Sequence, residues 1–426
     1  MSLPKQWTSA PVLSICKARM GQTILAKDLS VTGLPVFSAG GSGAPWGYTK
    51  MPVEQFGTTT IVLSARGSIG NPRLPGLSAF TSTQTTIAAT CALGIEPRYL
   101  TYAFRSLPWE EIASGAAIPM LTISRLAEQS IPLAPEGEQR RIADKLDTVL
   151  TRVDAVNTRL ARVASLLKRF RQSVLAAATS GRLTEDWRNA DGAADWISRS
   201  VDSLCSHISD GPFGSNLKSD DYTDDGARVV RLENIGHLNF DATKKTFIAI
   251  EKYETLRKHT LLQGDLLFSS FVDEEVRVCE FPSGIVEPAI NKADCFCVRA
   301  DPMQVNRRFL AMRLACKSTY EELKELVHGA TRPRINLRQL RNFEVMLPSL
   351  NEQVEIVRRV ETLFAFADRL EARLQVAQTA ADRLTPSLLA KAFRGELVPQ
   401  DPNDEPAADL LRRLQADVGD KVKSKK

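Results

Sequence analysis

Apolar residues recur at alternating steps of four and three between Gly137 and Leu183, and the positions between them are mainly polar. This spacing is typical of a long amphipathic helix that pairs with another helix in a coiled coil. The same pattern returns 214 residues later without a gap. The main seam positions are Ile142, Leu146, Val149, Val153 and Leu160 in the first stretch and Ile356, Val360, Leu363, Leu370 and Leu374 in the second. The chain is therefore predicted to contain an internal duplication.

The two helical stretches also agree at positions outside the seam. Glu138-Gln139 matches Glu352-Gln353 at the same offset, and the correspondence reaches back before the helices, where Pro119 matches Pro333. Hydrophobic periodicity alone would not reproduce these identities. The repeated unit is therefore predicted to be a mixed domain followed by a helix.

The duplication predicts an α+β fold in which two mixed α/β domains are joined by two long helices. A duplicated unit relates to itself most simply through a pseudo-two-fold axis. Such an axis, perpendicular to two paired helices, reverses their directions, so we expect an antiparallel coiled coil. The predicted segments are a first domain at 1–133, a central helix at 134–183, a linker at 184–195, a second domain at 196–347, a distal helix at 348–396 and a C-terminal tail at 397–426.

Local signals predict where individual elements begin and end. Gly181 and Gly395 suit the left-handed turn that often ends a helix. Pro386 falls inside the distal helix and should kink or break it, because proline removes a backbone donor and clashes with the preceding turn. The remaining predictions are strands at 58–64, 227–232, 265–269 and 293–299, helices near 99–105, 305–314 and 406–415, and a mobile lysine-rich tail at 418–426.

Composition predicts a folded chain in a reducing compartment. Of 426 residues, 43% are hydrophobic and 25% charged, which is enough for two or three cores. No apolar run approaches the roughly 18 residues of a membrane span, and the start lacks a signal-peptide pattern, so we expect a cytoplasmic protein that does not contact a membrane. Seven cysteines do not suggest a disulfide framework. Cys295 and Cys297 are expected to pack in a core rather than bind zinc.

The charge distribution limits where in the chain a nucleic-acid surface can lie. The net charge of +5 comes from the first domain and the central helix, whereas residues 191–344 are net acidic. Any DNA-binding surface in the second domain must therefore be a local patch. The best candidate is a run of four cations, Arg332, Arg334, Arg338 and Arg341. The alternative is that they balance carboxylates such as those of 321–325.

Signatures of common catalytic sites are absent from the sequence. There is no HExxH, GxSxG, P-loop or dinucleotide fingerprint. The four histidines, His207, His237, His259 and His328, lie near no motif. The Asn-Pro-Pro-aromatic tetrapeptide of adenine methylases and the metal-binding carboxylates of nucleases are also missing. The sequence therefore indicates binding rather than turnover, with no catalytic residue and no metal site.

The helical regions carry motifs of a known family. They include Lys145-Leu146-Asp147, the run 167–172 and Gly181-Arg182-Leu183-Thr184, and the second copy adds 356–361 and 389–397. The second domain adds 210–215, 231–235 and 264–267. With the duplication, these features resemble the specificity subunit of a type I restriction-modification enzyme, nearest the enteric type IA kind. The first domain lacks the Gly-Pro-Phe-Gly element of the second and keeps only 65–70.

The resemblance implies a non-catalytic subunit. Its two domains would be target-recognition domains, each reading one half of an interrupted sequence in double-stranded DNA, and its helices would bind modification subunits. Methyl transfer from S-adenosylmethionine would belong to those adenine methyltransferase subunits. Cleavage dependent on ATP and Mg would belong to restriction subunits. The chain itself would bind no cofactor.

Candidate binding residues follow from the basic positions in loops and helices. Loop cations are candidates because arginine and lysine bind phosphate oxygens and guanine edges. The DNA-binding candidates are Lys50, Arg66, Arg73, Lys218, Arg231, Arg332 and Arg334. The partner-binding candidates are Lys168, Arg169, Arg171, Arg358 and Arg359, whose alternative interpretation is a solvated helix face.

Three other functions are weighed against the specificity subunit. The first is a stand-alone DNA-binding regulator with a coiled-coil scaffold, which would normally carry a helix-turn-helix and dimerise from identical chains. The second is a pure coiled-coil scaffold, which leaves the two mixed domains without a purpose. The third is an enzyme, which a methyl-transfer assay on the isolated chain would test.

Overall fold

The structure is a computed structural model that describes residues 3–40, 43–51, 53–113, 119–191, 195–272, 274–327 and 333–423. The chain divides into two compact units. The first consists of Met1–Leu160 with Val376–Lys426, and the second of Ala161–Gln375. Each unit contains one mixed domain and part of each long helix.

The first mixed domain is built from short strands and helices. Its strands are β1 (Thr8–Pro11), β2 (Cys16–Met20), β3 (Leu34–Phe37), β4 (Gly47–Thr49), β5 (Thr60–Ser64), β6 (Pro72–Arg73), β7 (Thr81–Ser82), β8 (Thr86–Cys91) and β9 (Ser130–Leu133). Its helices are α1 (Val12–Ile15), α2 (Pro97–Arg105), α3 (Trp109–Ile112) and α4 (Ile123–Ala127). All five residues of β5 are buried, which agrees with the continuous apolar run that predicted this strand.

Three sheets organise this domain. One has the antiparallel order β2-β8-β5-β6, and β1 pairs with β9. The third has the order β4-β3-β7, in which β3 and β7 run parallel. The core between sheet and helices contains the fully buried side chains of Tyr99, Phe104 and Leu121.

Two helices follow the first mixed domain, and the second mixed domain comes next. The helices are α5 (Glu136–Thr179) and α6 (Glu185–Asp191). The strands are β10 (Ile197–Ser200), β11 (Cys205–Ser209), β12 (Tyr222–Thr223), β13 (Ala227–Val230), β14 (Phe247–Ile248), β15 (Leu266–Val272), β16 (Val276–Glu280), β17 (Ala289–Asn291), β18 (Cys295–Ala300) and β19 (Glu344–Leu347). Its helices are α7 (Ile250–Thr255), α8 (Arg307–Ala315), α9 (Lys317–Leu326) and α10 (Leu337–Asn342).

The second domain repeats the topology of the first. Its sheet order β11-β18-β15-β16 matches β2-β8-β5-β6, and β10 pairs with β19 as β1 pairs with β9. The third sheet, β12-β14-β13-β17, again contains a parallel pair, β13 and β17. The predicted duplication and the α+β class are therefore confirmed.

The long helices begin at equivalent points of the repeat. α5 begins at Glu136, and α11 (Leu350–Asp382) begins 214 residues later. α11 ends four residues before Pro386, which lies in the first turn of α12 (Leu384–Phe393), where no backbone donor is needed. The predicted break is therefore present. Gly181 and Gly395 have φ values of 76° and 75°, as expected for left-handed turns after a helix.

The two helices run antiparallel within the second unit. Arg171 of α5 pairs with Asp368 and Glu371 of α11, and beyond the end of α5 Thr184 contacts Glu352, near the start of α11. Residues later in the first helix thus meet residues earlier in the second. The seam side chains of Ile142, Leu146, Val153, Ile356, Val360 and Leu374 are buried, and those of Val149, Leu160, Leu363 and Leu370 are half-buried.

One prediction needs correction. The C-terminal helix α13 (Ala407–Lys423) is longer than the predicted 406–415 and includes most of the expected tail. Its residues Leu410 and Leu414, within the predicted range, are buried in the first unit's core, and this packing stabilises the helix. Cys295 and Cys297 lie buried in β18, as the core interpretation predicted. Within the described ranges, no helix is both long and apolar enough to cross a membrane.

Candidate nucleic-acid interface

Each mixed domain brings two side chains together where a parallel strand pair ends. In the second domain, Arg231 follows β13 and Lys292 follows β17, and the Lys292 N–H donates to the Val230 carbonyl at 2.9 Å. In the first domain, Ser38 follows β3 and Thr83 follows β7. The carboxyl ends of adjacent parallel strands meet at one edge of a sheet, a common place for ligand binding. We call each such pair with its neighbours the strand-end site of its domain.

Tyr222 is the centre of the strand-end site in the second domain. The Lys292 ammonium donates to the Tyr222 hydroxyl at 2.7 Å and lies 5.2 Å from the ring centroid. The Arg231 guanidinium lies 6.0 Å from the same centroid. Glu233 is 3.8 Å from Arg231, but among the described residues no carboxylate lies within 4.0 Å of Lys292. Two cations therefore share one aromatic ring with little neutralisation.

A glycine loop lies against this site. The backbone of Gly211 passes so close to the turn after β17 that a Cβ there would meet the Lys292 carbonyl carbon at 2.2 Å. The Asp210 carboxylate accepts hydrogen bonds from the Gly211 and Asp294 N–H groups at 2.7 and 3.0 Å. Burial raises the pKa of Asp210 to about 6. Phe213, 57% exposed, lies at the outer end of this loop.

Arg334 lies beside the same turn. Its guanidinium is 3.4 Å from the Asp294 carboxylate and 5.8 Å from the centroid of the Phe271 ring, and the side chain is 58% exposed. Arg341, another member of the predicted arginine cluster, has a structural contact instead. Arg341 donates to the Ile208 carbonyl, so it ties α10 to β11, and Arg332 lies outside the described residues.

The strand-end site of the first domain contains hydroxyl groups instead of cations. Thr83 donates to the Ser38 hydroxyl at 3.1 Å and lies 2.8 Å from the Thr85 hydroxyl. The Arg73 guanidinium donates to the Ser38 carbonyl, and desolvation by burial lowers the pKa of Arg73. Arg73, which was predicted to contact DNA, is half-buried and is held by the Ser38 carbonyl.

Gly21 takes the structural place of Gly211 in the first domain. A Cβ at Gly21 would lie 2.2 Å from the Thr83 carbonyl oxygen and 2.5 Å from that of Ser82. The N–H of Gln22 donates to the same Ser82 carbonyl at 2.8 Å. The first domain lacks the Gly-Pro-Phe-Gly sequence, but it keeps the close backbone approach that this sequence provides.

The remaining candidate DNA contacts are exposed. Arg66 follows β5, next to Ala65, whose carbonyl accepts from Leu121 N–H as the Ser270 carbonyl accepts from Ile335 N–H in the second domain. Arg66 therefore holds the position of Phe271, the residue on which Arg334 stacks. Two further exposed cations are Lys50, after β4, and Lys218, before Tyr222.

The candidate partner-binding residues divide into two groups. Arg171 and Arg359 are half-buried and engaged in ion pairs, Arg359 with Asp186 and Glu355. Arg358 also pairs with Glu355 but stays 65% exposed. Lys168 and Arg169 are exposed on α5. The apolar side chains of Val163 and Leu166 on the same helix are 38% and 46% exposed.

Four residues of the strand-end sites were not predicted from the sequence: Lys292, Tyr222, Ser38 and Thr83. Each lies in or beside a strand too short to give a clear periodic signal. Their proximity depends on parallel pairing between segments that are distant in the chain, which no local pattern records. Within the described ranges, no cluster of His, Cys, Asp or Glu side chains could hold a metal ion.

Comparison with known proteins identifies the family. The family model of the type I restriction modification DNA specificity domain matches residues 4–165 and 282–377. The type I restriction enzyme EcoBI specificity subunit of Escherichia coli is 32% identical over 344 residues, which cover 74% of this chain and 71% of that protein. The StySPI specificity subunit of Salmonella potsdam is 31% identical over 345 residues, 76% and 72% of the two chains.

Solved structures show the same fold. The HsdS subunit from Thermoanaerobacter tengcongensis aligns with a TM-score of 0.54 at 20% identity, covering 93% of this chain and 98% of that one. A chain from the structural work on complex assembly and conformational transition of the type I R-M system aligns with a TM-score of 0.67 at 18% identity, covering 93% and 100%.

The chain belongs to the specificity subunits of type I restriction-modification systems. In such a system it is the non-catalytic subunit that provides DNA sequence specificity, and it associates with DNA and with modification and restriction subunits. The enteric resemblance expected from the helices is confirmed by the relatives from Escherichia coli and Salmonella. A stand-alone regulator is not favoured.

Proposed function

We propose that each mixed domain reads one half of an interrupted DNA target through its strand-end site. The observation that carries this proposal is the repeated placement of two polar or basic side chains at the end of a parallel strand pair. Both sites lie beside a glycine that permits close backbone approach, Gly21 or Gly211. The same geometry with different side chains is what two domains of one fold need in order to read two different half-sequences.

The charges of the second strand-end site favour DNA as its ligand. Lys292, Arg231 and Arg334 converge there in a domain that is otherwise net acidic, and exposed Lys218 lies nearby. Phosphate oxygens and the acceptor-rich major-groove edge of guanine would neutralise such a group of cations. Acidic surroundings would confine the duplex to the patch. Arg66, which holds the position of Phe271, is the candidate contact in the first domain, whereas Lys50 lies at the other end of β3, beside Gly33.

We infer that the modification subunit docks on the exposed face of α5. Val163 and Leu166 supply apolar area, and Lys168 and Arg169 supply charge without an intramolecular ion pair among the described residues. Arg358 on α11 is the third candidate because it is largely exposed. Arg171 and Arg359 would act indirectly, since their ion pairs hold the helices and α6 in place.

The separate roles of the subunits indicate which of them binds each cofactor. We propose that the chain binds none, that S-adenosylmethionine is bound by the modification subunits, and that ATP and Mg are bound by the restriction subunits.

The proposed compartment is the cytoplasm, where the target DNA lies. The seven free thiols are compatible with this reducing compartment, and burial raises the pKa of three of them, Cys16, Cys205 and Cys279, to about 12.

The test uses the chain assembled with its modification subunits. Methylated adenines are mapped by sequencing DNA from cells that contain the complex, and binding to the resulting target is measured at several salt concentrations. Arg231→Ala with Arg334→Ala should weaken binding and lower the salt slope or relax one half-site. The matched control is Lys317→Ala on α9, an exposed cation paired with Glu321. Equal binding by the double variant and the control would contradict the proposal.

A further inference from the structure

We propose that Lys292 is a base-reading residue of the second domain, and that Tyr222 positions it. This inference rests on the proposed function, because it requires that the strand-end sites face DNA. It goes further by assigning specificity to one side chain. The residue at the corresponding position of the first domain, Thr83, is buried and is not assigned this role.

The geometry of Lys292 suits base reading better than general charge attraction. A free lysine side chain loses considerable conformational entropy when it is fixed on a ligand. Here the Lys292 ammonium is already held by the Tyr222 hydroxyl at 2.7 Å and by the face of its ring. An ammonium has three donors, and one is used by Tyr222, so two remain for acceptors on a ligand.

Among the described residues, no carboxylate lies within 4.0 Å of the Lys292 ammonium to accept its hydrogen bonds. Arg231 lies 6.0 Å from the centroid of the same ring, so two cations contact one aromatic side chain. The nearest part of the backbone is fixed by the Lys292 N–H bond to the Val230 carbonyl and by the packed Gly211 loop. A positively charged pair on a rigid strand end matches the O6 and N7 acceptors of guanine in the major groove.

The first domain supplies the comparison. Thr83 follows β7 as Lys292 follows β17, and the Thr83 N–H donates to the Phe37 carbonyl at 2.9 Å just as Lys292 N–H donates to Val230. The Thr83 hydroxyl donates to the Ser38 hydroxyl, and Ser38 holds the position that Arg231 has in the second domain. A hydroxyl can donate or accept, so this pair does not favour guanine in the same way. Thr83 is also only 2% exposed and its hydroxyl is paired with both Ser38 and Thr85, so the first domain has no accessible side chain equivalent to Lys292.

The experiment maps methylated adenines for complexes that contain the wild-type chain, Lys292→Met or Tyr222→Phe. Lys292→Met should reduce discrimination at one base pair of one half-site by roughly 5- to 150-fold, the range of a good base contact. Tyr222→Phe keeps the ring but removes the hydroxyl, so it should relax the same base pair by a smaller factor. The preference in the other half-site should stay unchanged in both variants.

The outcomes separate this inference from the proposed function. If wild-type complex methylates no interrupted sequence, the proposed function fails. If wild type gives a bipartite motif and Lys292→Met weakens all sites alike with a lower salt slope, Lys292 contacts phosphate and the inference is wrong. An unchanged motif in both Lys292→Met and Tyr222→Phe would overturn it as well. Should Lys292→Met not assemble, Tyr222→Phe alone decides, with an unchanged motif counting against the inference.

Discussion

Trp7 and Glu138 form a buried contact in which the indole N–H donates to the carboxylate at 2.9 Å. The second copy repeats it between Trp196 and Glu352 at 3.3 Å. This contact explains why the repeat keeps glutamate at the start of both helices: the carboxylate fastens the beginning of each domain to its helix. The side-chain oxygen of the following glutamine, Gln139 or Gln353, accepts a hydrogen bond from the backbone N–H of a helix N-cap residue in the same domain.

The two carboxylates differ in their second oxygen. Glu352 Oε1 accepts from the Thr184 hydroxyl at 2.7 Å and from Arg188 at 3.0 Å. Glu138 Oε1 is buried with no hydrogen-bond partner among the described residues. The position 214 residues after Thr184 is Val398, which has no hydroxyl. The two copies therefore differ in the hydrogen bonding of a buried carboxylate. This difference gives predictions about stability.

The first prediction concerns the pH dependence of stability. Burial raises the pKa of Glu138 above its ordinary value. A raised pKa in the folded state means that the ionised form destabilises the fold, so the contribution of Glu138 to stability increases as the pH falls from neutral through its folded pKa. Glu138→Gln should remove this increase. Thermal unfolding midpoints of the two proteins between pH 7 and 5 test it, and a constant difference between them would contradict the assignment.

Glu352→Gln should be more costly than Glu138→Gln at neutral pH. Removing the Glu352 charge leaves Arg188 without its buried partner, which costs about 3 kcal/mol, the lower end of the range for a broken buried pair, because Arg188 is partly exposed. Denaturant unfolding followed by tryptophan fluorescence measures the difference. Equal losses for the two variants would show that the Arg188 pair adds nothing.

Val398→Thr should stabilise the first unit. A hydroxyl at this position would copy Thr184 and donate to the orphaned Glu138 oxygen, for a gain of about 1 kcal/mol. The unfolding midpoint should rise in wild type but not in a Glu138→Met background, whose side chain offers the hydroxyl no strong acceptor. The reverse substitution, Thr184→Val, is the matched control and should destabilise the second unit by a similar amount.

The glycines beside the strand-end sites give a prediction about DNA reading. Gly211→Ala places a methyl group against backbone at 2.2 Å, and Gly21→Ala does the same in the first domain. Each should cost about 1–3 kcal/mol of stability and disturb one half-site only. Gly284→Ala is the control, because its methyl group would point into open space, with no described atom beyond its chain neighbours within 4 Å. Methylation mapping that shows both half-sites altered by one substitution would contradict the separate roles of the domains.

The sequence predicted the parts of the fold that depend on local pattern. The α5 and α11 seams, the glycine turns after the helices and the break before Pro386 follow from periodicity and backbone chemistry within a few residues. Strand bounds were close where β-branched runs were long, as at 60–64. The strand-end sites were not predictable in this way, because the contact of Lys292 with Tyr222 spans 70 residues and depends on tertiary pairing.

The exposure of the helix cations predicts different outcomes for neighbouring arginines. Arg169→Glu changes an exposed charge, so it should reduce co-purification with the modification subunit while leaving the unfolding midpoint of the isolated chain unchanged. Arg171→Glu places a third negative charge beside Asp368 and Glu371, so it should lower that midpoint as well. Both effects are measured by pull-down and thermal unfolding of the same preparations. If Arg169→Glu binds the modification subunit as well as wild type does, the docking face is elsewhere on the helices. If Arg171→Glu leaves the midpoint unchanged, the ion pair with α11 does not hold the two helices together.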